Sequence, residues 1–274
     1  MAMPSPTFPF NLPAGTSSAP LAIVTHPTPT LWVIELRHGA DNRITTHLLL
    51  DVLTPALDAV EQDWRATRGP EEGARWAPGA LVIIGALDQD KFFSNGLDYL
   101  AAIQSEIFFP RIFHPVLTRL MSFPIPTIAA LNGHTFAGGM LLALSCDYRV
   151  MTSGKAWCSM NEIHFGAPIT ACTAEILRAK IRSPNVLRAC ILEGRRFTPQ
   201  DALANGLVDE IVDGKSADIL HKAGEFARRV EGCAVTGVWG IMKKSIYPRV
   251  FETATEFAHR MTPNEQQAIF QAKL

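Results

Sequence analysis

Four places along the 274-residue chain have residue types and neighbours suited to chemistry. In Ser94-Asn95-Gly96-Leu97-Asp98, the missing Cβ of Gly96 lets the chain turn sharply and bring the Leu97 amide close to a ligand. The pair Gly138-Gly139 leaves similar room at an expected helix start, where free backbone amides and the positive end of a helix running through Cys146 would face an anion. The alternative is that both are turn glycines. Glu162 follows Met160-Asn161 and precedes Ile163; burial among such neighbours would raise its pKa and make it a stronger base, whereas an exposed or ion-paired glutamate would have only a structural role. His164 would share the face of Glu162 if the segment were a strand. Asp98 either orients the glycine loop or caps a helix.

Other chemistries find little support. No histidine pair has H-x-x-x-H spacing, and the five cysteines are scattered without a C-x-x-C, so neither a metal site nor a disulfide framework is expected and a reducing compartment fits. Gly138-Gly139 lacks the remainder of a G-x-G-x-x-G dinucleotide fingerprint. A net charge of −1 without a basic run argues against nucleic acid or anionic lipid as partners. Apolar runs such as Leu81 to Leu87 fall far short of the roughly 20 residues a membrane span needs.

The elements that must position these residues alternate between strand and helix. Ile23 to Leu36 reads as a strand and hairpin region, followed by a helix with Leu48, Leu49, Val52, Leu53, Leu57 and Val60 on one face. Thr67 to Pro78 reads as a surface loop. Leu81 to Ile84 and Thr127 to Leu131 read as buried strands leading into functional loops, with Asp147 to Met151 and Leu207 to Val212 as further strands. Asp98 to Phe123 reads as helix interrupted at Pro110 and Pro115. From Ser216 onward the pattern is helical and is expected to form a separate C-terminal unit. The fold class is α/β, and 47% hydrophobic residues suffice for a sizeable core.

Phe92 to Asp98, Pro126 to Asp147 with its Asn132-Gly133, Gly138-Gly139 and Cys146-Asp147, then Met160-Asn161-Glu162, and Gly194 to Asp209 form four stretches in order. Together they resemble the crotonase (enoyl-CoA hydratase/isomerase) superfamily, closest to the peroxisomal Δ3,Δ2-enoyl-CoA isomerases of plants and fungi. The resemblance implies a spiral of ββα turns over 23–215, a helical region over 216–274 that makes trimer contacts, and assembly as a trimer or hexamer. It also implies an acyl-CoA thioester as substrate, no separate cofactor, and the amides of Leu97 and Gly138 as the oxyanion hole. Ser94, Asn95, Gly96, Asp98 and Gly139 would build the surrounding substrate site, and Arg43, together with Lys243 or Lys244 from the C-terminal helices, would meet CoA phosphate.

Leu141 stands where the family's hydratases carry a glutamate. Hydration divides water activation and α-carbon protonation between two carboxylates, while moving a double bond from C3 to C2 needs one group that takes a proton at C2 and returns it at C4. The resemblance therefore implies an isomerase with Glu162 as shuttle and Leu141 as a water-excluding wall. The alternatives are a hydratase or lyase of a specialised pathway, with His164 or Asp98 replacing the missing carboxylate, and a non-catalytic acyl-CoA binder. Phe108, Phe109 and Phe113 are candidates for the acyl pocket or the core.

Residues 1–22, rich in proline with several Ser and Thr, are expected to be a mobile tail. At the other end Ala272-Lys273-Leu274 is a close variant of the S-K-L peroxisomal address, which would make an import receptor a partner; otherwise it is a chance tripeptide on a terminal helix.

Overall fold

The computed structural model describes residues 6–15, 19–257 and 261–273. Among the described residues the strands are β1 (Phe10–Leu12), β2 (Ala22–Thr28), β3 (Leu31–Leu36), β4 (Ala80–Gly85), β5 (Phe92–Ser94), β6 (Thr127–Leu131), β7 (His134–Phe136), β8 (Tyr148–Thr152), β9 (Cys158–Ser159) and β10 (Glu210–Val212). They form a seven-stranded sheet in the order β1-β2-β3-β4-β6-β8-β10 and a three-stranded sheet β5-β7-β9. Antiparallel pairing joins β1, β2 and β3, and every later pair is parallel. Each repeat of the chain thus places one strand in the large sheet and the next in the small one before a helical crossover, which is the expected spiral of ββα turns.

The helices are α1 (Thr54–Ala66), α2 (Tyr99–Ile103), α3 (His114–Met121), α4 (Gly138–Ser145), α5 (Ala171–Lys180), α6 (Pro184–Ile191), α7 (Pro199–Ala204), α8 (Ser216–Val230), α9 (Trp239–Ile246), α10 (Pro248–Thr253) and α11 (Pro263–Gln271). Every residue of β4 and β6 is buried, which explains their unbroken apolar runs: a parallel strand covered on both faces has no solvent side to alternate toward. One face, with Trp32, Ile34, Leu81 and Ile83, joins the main core. The other, with Val82, Ile84, Ile128 and Val150, packs on Ile219, Ala223 and Phe226 of α8.

Two expectations are corrected. The helical region from Ser216 is not a separate unit at its start, because α8 covers the large sheet through its apolar stripe. Within the segment read as a mobile tail, Phe10–Leu12 pairs with Ala22–Val24, using the exposed edge of β2 that a hairpin alone would leave open. Leu274 of the terminal tripeptide lies outside the described residues. The loop at 67–78 is anchored by Trp76, stacked on Trp64 with ring centroids 5.5 Å apart.

Asp147, just before β8, ties the last turn of the spiral to the C-terminal helices. Its carboxylate accepts from the Thr127 amide at 2.9 Å, from Trp239 Nε1 at 3.2 Å and from Lys243 Nζ at 3.0 Å. Lys243 is buried and also donates to the Leu120 carbonyl at 3.1 Å, so it is a core ion-pair partner and not the expected phosphate ligand. Removing one member of a buried pair leaves the other charge uncompensated. Asp147→Ala is expected to lose about 3–5 kcal/mol in urea unfolding, whereas Lys244→Ala on the exposed side of α9 should change the midpoint little.

Candidate active site

The site forms where the loop after β5 meets the start of α4. Gly96 adopts φ +85°, and a Cβ there would lie 2.9 Å from the Phe136 carbonyl oxygen and 3.2 Å from the Gly138 nitrogen. A Cβ on Gly138 would sit 2.8 Å from Leu97 Cγ and 3.3 Å from the Leu97 nitrogen, and one on Gly139 2.6 Å from the Ser94 carbonyl oxygen. Only glycine lets the two segments approach this closely, so these are contact glycines and not simply turn glycines. Among the described residues, the backbone N–H groups of Leu97 and Gly138 have no protein acceptor, although their neighbours do: Ile44 donates to the Gly96 carbonyl at 2.8 Å, Asp98 to the Ile44 carbonyl at 3.0 Å and Ala137 to the Ser159 carbonyl at 2.8 Å.

Ala137, which delivers the chain into α4, holds φ 49° and ψ −119°, a conformation suited to glycine and costly for a residue with a Cβ. Nothing in the amino-acid type signals this strain. All of α4 is buried, which places its N-terminal amides in a low-dielectric setting.

A cavity of about 540 Å³ opens onto this junction and is bordered by Leu97, Gly138, Leu141, Glu162 and Ala167, with Phe109 and Phe113 further along. Among the described residues lining it, Glu162 is the single carboxylate. Leu141 borders the same space from α4. Phe108 is a core side chain and lies outside it.

Glu162 opens a tight helical turn, Glu162–Phe165, closed by Gly166 at φ 70°. This is not the strand on which His164 would share its face; His164 Nε2 instead meets the Gly194 carbonyl at 3.2 Å, away from the carboxylate's surroundings. Ile163 likewise turns outward and is half exposed, while Leu141, Ala167 and Pro168 line the cavity that Glu162 borders. Burial pushes the Glu162 carboxyl up to about 7, only partly offset by its own backbone amide, and Oε2 is buried without a hydrogen-bond partner. Asn161, beside it on the cavity wall, has a similarly unpartnered Oδ1.

The segment before β5's loop braces it. Asp41 Oδ2 accepts from Arg43 Nη2 at 2.7 Å and Asn95 Nδ2 at 2.9 Å, and Arg43 Nη1 donates to the Leu97 carbonyl at 3.3 Å. Arg43 borders the cavity, but its charge is already paired. Ser94 is fully buried; its hydroxyl donates to the Asn42 carbonyl at 2.8 Å and accepts from the Gly96 amide at 3.2 Å, so it shapes the loop from behind. Asp98 caps α2, its Oδ1 accepting from the Ala101 amide at 3.4 Å. Asp41, absent from the expected site, carries no signal beyond its proximity to Arg43.

A family model described as enoyl-CoA hydratase/isomerase matches residues 73–266. The chain belongs to the enoyl-CoA hydratase/isomerase family. Among its relatives, enoyl-CoA delta isomerase 3 of Arabidopsis thaliana is 32% identical over 168 residues, covering 58% of this chain and 71% of that protein. The peroxisomal enoyl-CoA delta isomerase 1 of the same plant is 28% identical, covering 80% and 87%. A carnitinyl-CoA dehydratase of Escherichia coli strain K12 is 32% identical, covering 65% and 67%. A solved enoyl-CoA isomerase of Mycobacterium tuberculosis superposes with a TM-score of 0.71 at 23% identity, covering 85% of this chain and 94% of that one, and this likeness shows the shared fold. Relatives with two different reactions therefore share the framework, and within the family the reaction must be argued from the site.

The raised Glu162 pKa predicts a pH-dependent instability. Below about 4.5 the carboxyl is protonated whether the chain is folded or unfolded; above about 7 the folded state carries the full cost of a buried carboxylate. Stability should therefore fall as pH rises from 4.5 through 7, and Glu162→Gln should be more stable than the unmodified protein at pH 8 by up to about 3 kcal/mol, with no advantage at pH 4. Urea unfolding at the two pH values measures this.

Proposed function

We propose that the protein is a Δ3,Δ2-enoyl-CoA isomerase acting on 3-enoyl-CoA esters in fatty-acid β-oxidation. The observation that carries the reading is the single carboxylate, Glu162, in an apolar cavity that also exposes two uncommitted backbone amides. In this scheme the thioester oxygen accepts hydrogen bonds from Leu97 and Gly138. The Glu162 carboxylate takes a proton from C2, the C2–H electron pair becomes the C1–C2 π bond, and the carbonyl pair moves to oxygen, giving a dienolate. The protonated Glu162 then delivers that proton to C4: the C3–C4 π electrons form the C4–H bond, the C1–C2 π electrons move to C2–C3, and an oxygen lone pair re-forms the carbonyl. Each amide donor of this kind typically supplies about 3 kcal/mol of transition-state stabilisation. Leu141 and Ala167 keep water from the dienolate, and Gly96, Gly139, Ser94, Asn95, Asp98 and Arg43 hold the loop geometry.

The names of two plant relatives, both peroxisomal, support a peroxisomal location. No cofactor beyond the CoA thioester is required by this chemistry. Exposed Ile241, Met242 and Ile246 on α9 suit subunit contacts in a trimer or a pair of trimers.

A second reading, hydration of a 2-enoyl thioester or the reverse dehydration, has one observation in its favour. The unpartnered oxygens of Asn161 and Glu162 border the cavity together and both require a hydrogen-bond donor, a role water can fill. Incubation with trans-3-hexenoyl-CoA should form the conjugated 2-enoyl thioester, and Glu162→Gln should lower kcat by about 10²–10⁴-fold. For the unmodified protein kcat/KM should fall about tenfold per pH unit below 7, where the base becomes protonated. Consumption of crotonyl-CoA to a 3-hydroxyacyl product without double-bond migration would favour the second reading.

A further inference from the structure

The carbonyl end of α4, opposite the Gly138 amide, is surrounded by cations. The Cys146 carbonyl that closes the helix accepts from Lys180 Nζ at 3.1 Å and from Arg149 Nη1 at 3.2 Å. Arg149 is balanced by Asp209 at 3.3 Å, and Lys243 by Asp147 at 3.0 Å. Lys180 is different. Among the described residues no carboxylate pairs with it, and its Nζ lies 5.1 Å from the centre of the Tyr247 ring. The charged and titratable groups facing it are Arg149 and Asp147 at the start of β8, Lys243 from α9, and Cys146, whose thiol is pushed up to about 12 by burial and stays neutral. The local balance therefore leaves one net positive charge beside the carbonyl of Cys146, the residue that caps α4.

An uncompensated, partly buried ammonium is costly, and packing alone would be served by an apolar side chain. Its location explains its use. A cation at a helix C-terminus offsets the negative end of the dipole and leaves the positive N-terminal end more effective. We propose that Lys180 is a positioning charge for the thioester site: seated at the C-terminal cap of α4, on the Cys146 carbonyl, it raises the positive potential at the Gly138 amide and so stabilises the enolate formed there. The inference rests on the reading of that amide as a donor to the thioester oxygen. Across the eight residues of α4 the ammonium lies roughly 15 Å from the amide, a separation at which one charge inside a protein alters an anion's stability about five- to tenfold.

Burial, and then Arg149, pull Lys180 down to about 8, so the charge is present below that pH and lost above it. Activity should accordingly decline above pH 8, and Lys180→Arg, which keeps its charge, should lack that alkaline limb. Lys180→Met removes the charge while Arg149 continues to hold the Cys146 carbonyl, so the variant should fold with an undiminished melting temperature.

The test is an absorbance titration of the enolate of acetoacetyl-CoA bound to the full-length protein. Lys180→Met should hold about five- to tenfold less enolate at a given pH than the unmodified protein, Lys180→Arg should match the unmodified protein, and kcat for 3-hexenoyl-CoA should fall by the same factor with KM nearly constant. Equal enolate in Lys180→Met and the unmodified protein would overturn the role of Lys180 while leaving the thioester site intact. No enrichment of enolate by the unmodified protein would overturn both the inference and the site on which it rests.

Discussion

The structure depends on one close approach, that of Ser94–Leu97 to Ala137–Gly139. Three positions there leave no room for a Cβ, and the two amides that face the cavity are the ones left without partners while their neighbours are bonded. A backbone donor with no internal acceptor is expensive unless a ligand or water completes it, so the arrangement is strained in a directed way. The ββα spiral supplies the means: parallel β5 and β7 run side by side, and the loops leaving them necessarily emerge at the same end. The strained Ala137 and the Asp41–Arg43–Asn95 brace hold the loops against relaxation.

The same geometry sets the electrostatics. Helix α4 is buried along its whole length, so its dipole is poorly screened, and its N-terminus opens on a cavity that contains one carboxylate. Glu162 is kept uncharged more readily than an exposed glutamate because burial penalises its charged form. In the proposed reaction a base near neutrality and a donor pair for a developing oxyanion are complementary: the charge that leaves the carboxylate on protonation would reappear on the substrate oxygen, where the amides would receive it.

Much of this was legible in the amino-acid sequence, for physical reasons that differ by element. Leu81 to Ile84 and Thr127 to Leu131 were readable as strands because burial on both faces forces an unbroken apolar run. Gly96, Gly138 and Gly139 were readable because only glycine tolerates the contacts they make. The partner of α8 was not, since an amphipathic stripe states that a helix must dock but not on what. Nor was the company of Glu162: the tight turn sends Ile163 and His164 outward and brings in Ala167 and Pro168, a consequence of local backbone geometry that side-chain types leave open. Arg43 and Lys243 looked like free cations, and three-dimensional placement of Asp41 and Asp147 changed their roles.

The central claim is that one shielded carboxylate carries a proton between two carbons of the same substrate. The most direct test is to supply 3-enoyl-CoA deuterated at C2 and locate the label in the product at early times. The account predicts that part of the deuterium is recovered at C4 of the 2-enoyl product; formation of a 3-hydroxyacyl product bearing solvent oxygen, with no label at C4, would contradict it.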